Sequence, residues 1–149
     1  MIELIAIKQT WEENSAFETT ADCREIILNT MEYYKTIGFA PPWIGYLAIS
    51  DGKFVGSAGF KGKPMDNKIE IAYGTSPDYW QQGIGTEICR QLVLLALNTN
   101  PAIIITARTL PENNYSTKIL QKNNFKLSGT IWDKDDGSVW EWEYAKQGN

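Results

Sequence analysis

The chain has 149 residues, 43% of them hydrophobic, and a formal net charge of -4 at pH 7. This length is typical of one domain, which buries roughly 70% of the surface exposed by its unfolded chain. The acidic balance argues against nucleic acid as the main partner, because neutralising phosphates requires clustered lysines and arginines. No basic leader and no apolar stretch of membrane-spanning length occur, which predicts a soluble cytoplasmic protein without a membrane partner.

Histidine is absent, and the two cysteines, Cys23 and Cys89, lie far apart in the sequence. The absence of histidine excludes Ser-His-Asp and Cys-His nucleophilic sites and most zinc sites. The wide separation of the two cysteines gives little support to a disulfide framework, so both are predicted to be small buried hydrophobic residues. Any chemistry must therefore use carboxylate, hydroxyl, amine or backbone groups, and no metal is expected.

The first elements are a strand and a long helical region. Residues Ile2 to Ile7 have the composition of a strand. From about Ala16 to Ile37, apolar residues recur at helical spacing, as at Ile27, Met31 and Tyr34. A glycine and two prolines then end this helical region.

Three strands are predicted next. Trp43 to Ser50 and Lys53 to Phe60 flank an Asp51-Gly52 turn, a pattern that predicts a β-hairpin. Lys68 to Thr75 forms the following strand after a polar loop. These segments constitute the first half of a sheet.

The second half begins with a helix whose apolar residues repeat from Ile84 to near Asn98. The run Pro101 to Thr106 lacks polar alternation, which is typical of an interior strand buried on both faces. Asn113 is expected to cap a helix reaching about Lys122, and Asn124 provides a left-handed stop.

A final hairpin pairs Phe125 to Trp132 with Ser138 to Tyr144. The resulting order, βααβββαβαββ, predicts an α/β (α+β) fold in a single domain covering residues 1–149, with about four helices flanking a mixed, mostly antiparallel central sheet.

Two glycines one residue apart stand in the segment Y-W-Q-Q-G-I-G-T-E, between an apolar strand and an apolar helix. Backbone N–H groups from Gln82 through Ile84 to Thr86 are unpaired at such a helix start and attract phosphate oxygens. Gly83 and Gly85 lack a Cβ that would hold the phosphate away. The alternative is a plain strand-to-helix turn, and the third glycine of a Rossmann fingerprint is missing.

The segment I-E-I-A-Y-G-T-S-P-D-Y-W-Q-Q-G-I-G-T-E resembles the GNAT superfamily of acyl-CoA-dependent N-acyltransferases. That family's signature places Arg or Gln three residues before the first glycine, where this chain has Trp80. The RimJ/RimL-like branch, of the ribosomal-protein N-terminal acetyltransferase type, often carries Trp there. The second match is P-E-N-N-Y-S-T-K-I-L-Q-K-N-N-F, which is similar to the P-E-N-x-x-S segment of that branch.

The resemblance implies acetyl-CoA as co-substrate, held by the glycine turn and by backbone at Tyr73, Gly74 and Thr75, which would polarise the thioester carbonyl. The pantetheine arm would run between the strand ending at Thr75 and the strand over residues 103–106. Asn113 would bond the pantetheine as well as cap its helix.

Glu70 is the first candidate for the base that deprotonates the acceptor amine, and an ion-paired strand glutamate is the alternative. The family's tyrosine acid falls on Leu120 here, so Ser116 is the replacement that the branch suggests for protonating the thiolate. The alternative is that Ser116 is only the N3 residue of its helix. Tyr115 is expected to point elsewhere.

Two further features of the sequence are weaker signals. Lys118 and Lys122 share one helix face, which is either a contact for a CoA phosphate or, more commonly, a solvated face. Tryptophans at 43, 132, 140 and 142 suggest an aromatic acceptor pocket, with Tyr33, Tyr34 and Trp43 on its helical side, although core packing is the commoner use.

The resemblance thus implies an N-acetyltransferase acting on a primary amine of a small molecule or a protein N-terminus, and a homodimer is possible. Two alternatives stay open. One is a catalytically idle acyl-CoA sensor, and the other is a structural protein that dimerises through its Trp-rich hairpin.

Overall fold

The computed structural model describes residues 2–17 and 20–146. Within them the strands are β1 (Ile2–Ala6), β2 (Gly45–Ser50), β3 (Lys53–Phe60), β4 (Lys68–Thr75), β5 (Ile104–Thr109), β6 (Phe125–Asp133) and β7 (Gly137–Tyr144). The helices are α1 (Trp11–Asn14), α2 (Ala21–Ile37), α3 (Ile84–Thr99) and α4 (Tyr115–Lys122), with single 3₁₀ turns at Ser15–Phe17 and Pro77–Tyr79. The predicted order of elements and fold class are confirmed.

The seven strands of the described chain form one sheet in the order β1-β2-β3-β4-β5-β7-β6. Every neighbouring pair is antiparallel except β4 and β5. Those two strands pair only over Lys68–Glu70 and residues 104–106, and they diverge beyond that point. This divergence leaves a gap between β4 and β5 beyond Glu70, near the middle of the sheet.

Several predicted boundaries were wrong by a few residues. The helical region begins at Trp11 instead of Ala16, because the Thr10 side chain accepts a hydrogen bond from the Glu13 N–H and caps α1. Residues 18 and 19 of that predicted helix lie outside the described residues. Strand β5 is interior, as predicted, but begins at Ile104, because Asn100 binds the Ala102 N–H in a turn.

Helix α2 covers one face of the sheet, and helices α3 and α4 cover the other. The Tyr34 hydroxyl on α2 donates to the Ile7 carbonyl (2.8 Å) and accepts from the Gly45 N–H (2.9 Å), which anchors α2 to β2. On the other face, the Tyr73 side chain contacts Cys89 of α3, and burial raises the pKa of the Cys89 thiol to about 12. Cys23 and Cys89 are both buried, as predicted.

No helix in residues 2–17 or 20–146 combines the length and apolar character needed to span a bilayer.

Candidate active site

The gap between β4 and β5 exposes peptide groups of β4. The Lys61 N–H donates to the Glu70 carbonyl (2.9 Å), and the Ser76 N–H donates to the Val55 carbonyl (2.8 Å), so even-numbered β4 residues bond to β3. Peptide groups alternate in direction along a strand, and those of odd-numbered residues therefore point toward β5. Because β5 no longer pairs there, the N–H and carbonyl of Tyr73 face the open gap.

The start of α3 presents three unpaired backbone donors. Gly83 is its N-cap with φ 78°, and the first helical bond runs from the Glu87 N–H to the Gly83 carbonyl (3.2 Å). In the described chain, the N–H groups of Ile84, Gly85 and Thr86 have no acceptor. They point out along the positive end of the helix dipole, an arrangement that suits a phosphate group.

The two positions of this turn require glycine for different structural reasons. A Cβ on Gly83 would meet no atom within 4 Å, so its left-handed backbone accounts for the glycine. A Cβ on Gly85 would lie 2.6 Å from Ile119 Cδ1 and 3.2 Å from Thr75 Oγ1. Close packing against α4 and β4 is therefore a structural reason for glycine at position 85, and its role in leaving room for phosphate stays a prediction.

A cavity of about 410 Å³, which we call the α4 cavity, lies between the end of β4, the loop before α3 and the start of α4. Its lining includes Tyr73, Gly74, Thr75, Trp80, Tyr115 and Ser116. The Trp80 indole N–H donates to the Thr75 carbonyl (2.8 Å), which holds this aromatic ring as a wall of the cavity. Gln82 lies outside this lining, and its amide makes a long hydrogen bond to the Asp78 carbonyl (3.4 Å).

Helix α4 starts one residue later than predicted. Its N-cap is Asn114, whose side chain accepts from the Thr117 N–H (3.1 Å) while the Thr117 hydroxyl accepts from the Asn114 N–H (2.9 Å). This reciprocal box involves a buried threonine, and Asn113 is left exposed before the helix.

The shift also moves the residues that follow the cap. Ser116 becomes the N2 residue instead of N3, and its exposed hydroxyl makes no hydrogen bond with other described residues. The expectation that Tyr115 points elsewhere was wrong, because Tyr115 lines the α4 cavity together with Ser116.

Glu70 lies between two cations, one immediately after β3 and one on β5. Its Oε2 lies 2.6 Å from Lys61 Nζ, and its Oε1 lies 3.5 Å from Arg108 Nε. The contact with Lys61 is between charges only, since Oε2 lacks a partner of hydrogen-bond geometry. Arg108 Nη1 in turn lies 3.0 Å from Asp133 Oδ2. Hydrogen bonds from backbone N–H groups of the β6–β7 turn, and then from Arg108, hold the pKa of Asp133 below its usual range.

A second cavity of about 500 Å³, the α2 cavity, lies on the opposite face of the sheet. One stripe of α2 at helical spacing forms its wall, with Ile26, Asn29, Thr30, Tyr33 and Ile37. Its floor consists of small residues on neighbouring strands, including Ser57, Gly59, Ala72 and Gly74. The two cavities share Tyr73 and Gly74, so they meet at the gap in the sheet.

The predicted aromatic acceptor pocket is present only in part. Tyr33 and Tyr34 line the α2 cavity, but the Tyr34 hydroxyl is committed to backbone groups. Trp43 packs edge-on against Phe60 at 5.1 Å and is outside the cavity lining. Trp140 and Trp142 share a strand face as expected, and their rings pack on each other at 6.3 Å. Trp43, Trp140 and Trp142 thus serve in packing, whereas Trp132 is 76% exposed.

Two further sequence-based candidates are surface features. Lys118 and Lys122 are exposed on α4 and line neither cavity, which agrees with a solvated face.

Within the described residues, no group of three or more Cys, Asp or Glu side chains is arranged to hold a metal ion.

Comparison with known proteins places this geometry in a family. The model of the acetyltransferase (GNAT) domain matches residues 5–126. The uncharacterized N-acetyltransferase YjdG of Bacillus subtilis (strain 168) is 32% identical over 119 residues, which are 79% of this chain and 68% of that protein.

Solved structures share the fold at lower identity. The aminoglycoside acetyltransferase AAC(6')-Ib in complex with coenzyme A superposes with a TM-score of 0.71 at 18% identity, over 98% of this chain and 95% of that one. The ribosomal L7/L12 alpha-N-protein acetyltransferase RimL in complex with coenzyme A gives 0.68 at 17% identity, over 95% and 92%. The chain therefore belongs to the acetyltransferase (GNAT) domain family, and its reaction is acetyl-CoA-dependent acetyl transfer.

Proposed function

We propose that the protein transfers the acetyl group of acetyl-CoA to a primary amine, on a small molecule or a protein N-terminus, at the gap between β4 and β5. The observation that carries the proposal is the peptide group of Tyr73, which faces that gap beside the α4 cavity. The segments before α3 and at α4 that resemble the RimJ/RimL-like branch support membership of that branch.

Coenzyme A would be bound mostly by backbone. The unpaired N–H groups of Ile84, Gly85 and Thr86 suit the pyrophosphate, with Gln82 and Gly83 forming the turn before them. The pantetheine amides would pair with β4 from Tyr73 to Thr75, and Asn113 would contact the arm from the loop before α4. Backbone donors explain how a chain with net charge -4 binds a polyanion.

The reaction is direct attack of the amine on the thioester. The nitrogen lone pair forms the new C–N bond, the C–S bond breaks, and its electron pair leaves with the sulfur. The Tyr73 N–H would stabilise the oxyanion, and a donor of this type contributes about 3–4 kcal/mol. Ser116 would pass a proton to the thiolate and regain one from solvent. The products are the amide and free coenzyme A, and the amine's proton passes to a base.

Glu70 would be that base, acting directly or through a water. An alkyl amine with a pKa near 10.4 is almost wholly protonated at neutral pH, so it must lose a proton before attack. The carboxylate is ion-paired with Lys61 and Arg108, which is the arrangement expected of an ion-paired strand glutamate. The role of Glu70 as base stays a prediction.

The test is incubation of the protein with acetyl-CoA and a panel of primary amines, followed by measurement of free thiol. Acceptor-dependent thiol release is expected. Coenzyme A binding without acceptor-dependent thiol would instead support a sensor. A protein that only dimerises through its C-terminal hairpin would show no thermal shift with coenzyme A. The homodimer and the cytoplasmic location stay predictions.

A further inference from the structure

Gly74 lies where three cavities meet. It lines both the α4 cavity and the α2 cavity. It also lines a third cavity of about 320 Å³, which we call the Asp22 cavity because Asp22 and Glu25 stand at its far end. The α2 cavity and the Asp22 cavity share Ile26, Ser57 and Gly74. They therefore form one trough beneath α2, with Gly74 near its middle.

The fold itself does not require glycine at this position. A Cβ on Gly74 would meet only Ser57 Oγ, at 3.9 Å, which is an ordinary contact. The φ angle of Gly74 is outside the positive region, unlike that of Gly83. Gly85, by contrast, has no space for a Cβ. What the missing side chain of Gly74 provides is space at the junction of the trough with the α4 cavity.

The trough extends in both directions from this junction, and its two ends differ in chemistry. The α2 cavity is lined by Tyr33, Ile37 and Phe60 together with Lys61, whereas the Asp22 cavity is lined by the carboxylates of Asp22 and Glu25. An amine that reaches the thioester at Gly74 enters between these ends. An amine on a terminal, unbranched carbon carries a single substituent and would occupy only one of them.

From this geometry, and resting on the proposed function, we propose that the acceptor is a primary amine on a branched carbon. One substituent, of apolar character, lies in the α2 cavity, and the other extends into the Asp22 cavity. Gly74 is the specificity-determining residue, because a side chain there would occupy the space that the second substituent needs.

Two isomers with the same formula test this directly. In 1-phenylethylamine the amine is on a branched carbon, and in 2-phenylethylamine it is on a terminal one. The wild type is expected to acetylate the branched isomer with the higher kcat/KM. Gly74→Val should lower the ratio of kcat/KM for the branched isomer to kcat/KM for the terminal isomer by about tenfold or more. Ser57→Ala, which removes the hydroxyl nearest the junction, is the matched control and should preserve the wild-type preference.

Two further measurements identify the cause of any loss. The Tm of Gly74→Val should equal or exceed that of the wild type, because valine is favourable in a strand and its Cβ has room. Calorimetry should show that Gly74→Val still binds coenzyme A, because the change concerns the preference between two acceptors. An equal loss for both isomers, or a wild type that prefers the terminal isomer, would overturn the inference while leaving the proposed function intact. If no amine in the panel caused acceptor-dependent thiol release, the proposed function and the inference would be refuted together.

Discussion

Replacing Glu70 with glutamine separates catalysis from stability at this site. The substitution removes the negative charge but keeps the size of the side chain. If Glu70 is the base, the rate of acetyl transfer should fall by about 10² to 10⁴, which corresponds to about 2.7–5.4 kcal/mol of barrier. Turnover should persist, because the positioning of both reactants, on the order of 7–11 kcal/mol, is retained.

The expected loss of stability is much smaller. Lys61 is 41% exposed and Arg108 is 33% exposed, so solvent screens both contacts with Glu70. Arg108 also keeps Asp133 at 3.0 Å, so the substitution does not leave its charge uncompensated. Removing the carboxylate should therefore cost about 0–1 kcal/mol, a shift in Tm of about 2–4 °C or less.

The assay is single-turnover thiol release with saturating acetyl-CoA, accompanied by a thermal melt. Arg108→Gln is the control, since it removes one of the ion-pair partners but retains the carboxylate. If Glu70→Gln and Arg108→Gln reduced the rate equally, or if Glu70→Gln left it unchanged, then Glu70 would have a structural role and the assignment of the base would be refuted.

The remaining predictions concern other elements of the site. Ser116→Ala should lower the rate of thiol release with unchanged affinity for coenzyme A, and an unchanged rate would remove Ser116 from the mechanism. Asn114→Ala should lower the free energy of unfolding by about 0.5–2 kcal/mol through loss of the α4 cap, as measured by urea unfolding. Gly85→Val should lower the free energy of unfolding by about 1–3 kcal/mol through its clash with Ile119, and an unchanged free energy of unfolding would contradict the packing argument. The same variant should weaken the binding of coenzyme A, as measured by calorimetry. Burial raises the pKa of Tyr34 to about 12 in the folded state, against about 10 in the unfolded state. The contribution of the protonated phenol to the free energy of unfolding is therefore fully present below pH 10 and declines as pH rises toward 12. Tyr34→Phe should lessen that decline.

The order and type of the elements follow from local chemistry. The bounds of β3 and β4 match the prediction residue for residue, because strand composition and the Asp51-Gly52 turn are read from neighbouring positions. The left-handed conformation of Asn124, with φ 67°, was predicted for the same reason. Caps were harder to place: Asn113 and Asn114 are equally suitable by type, and the buried Thr117 decides between them.

The composition of the site, in contrast, depends on contacts between residues distant in sequence. The sequence predicted a coenzyme A site at Tyr73, Gly74 and the turn before α3. The resemblance of the short segments around them to a known family indicated acyl-CoA chemistry. The family resemblance implied that β4 and β5 splay apart, but only the tertiary structure decided that they diverge after Glu70, that Arg108 and Lys61 bracket its carboxylate, and that α4 fills the space beside Gly85. Backbone propensity and hydrophobic periodicity are local properties, whereas gaps, ion pairs and close approaches arise when separate elements pack together.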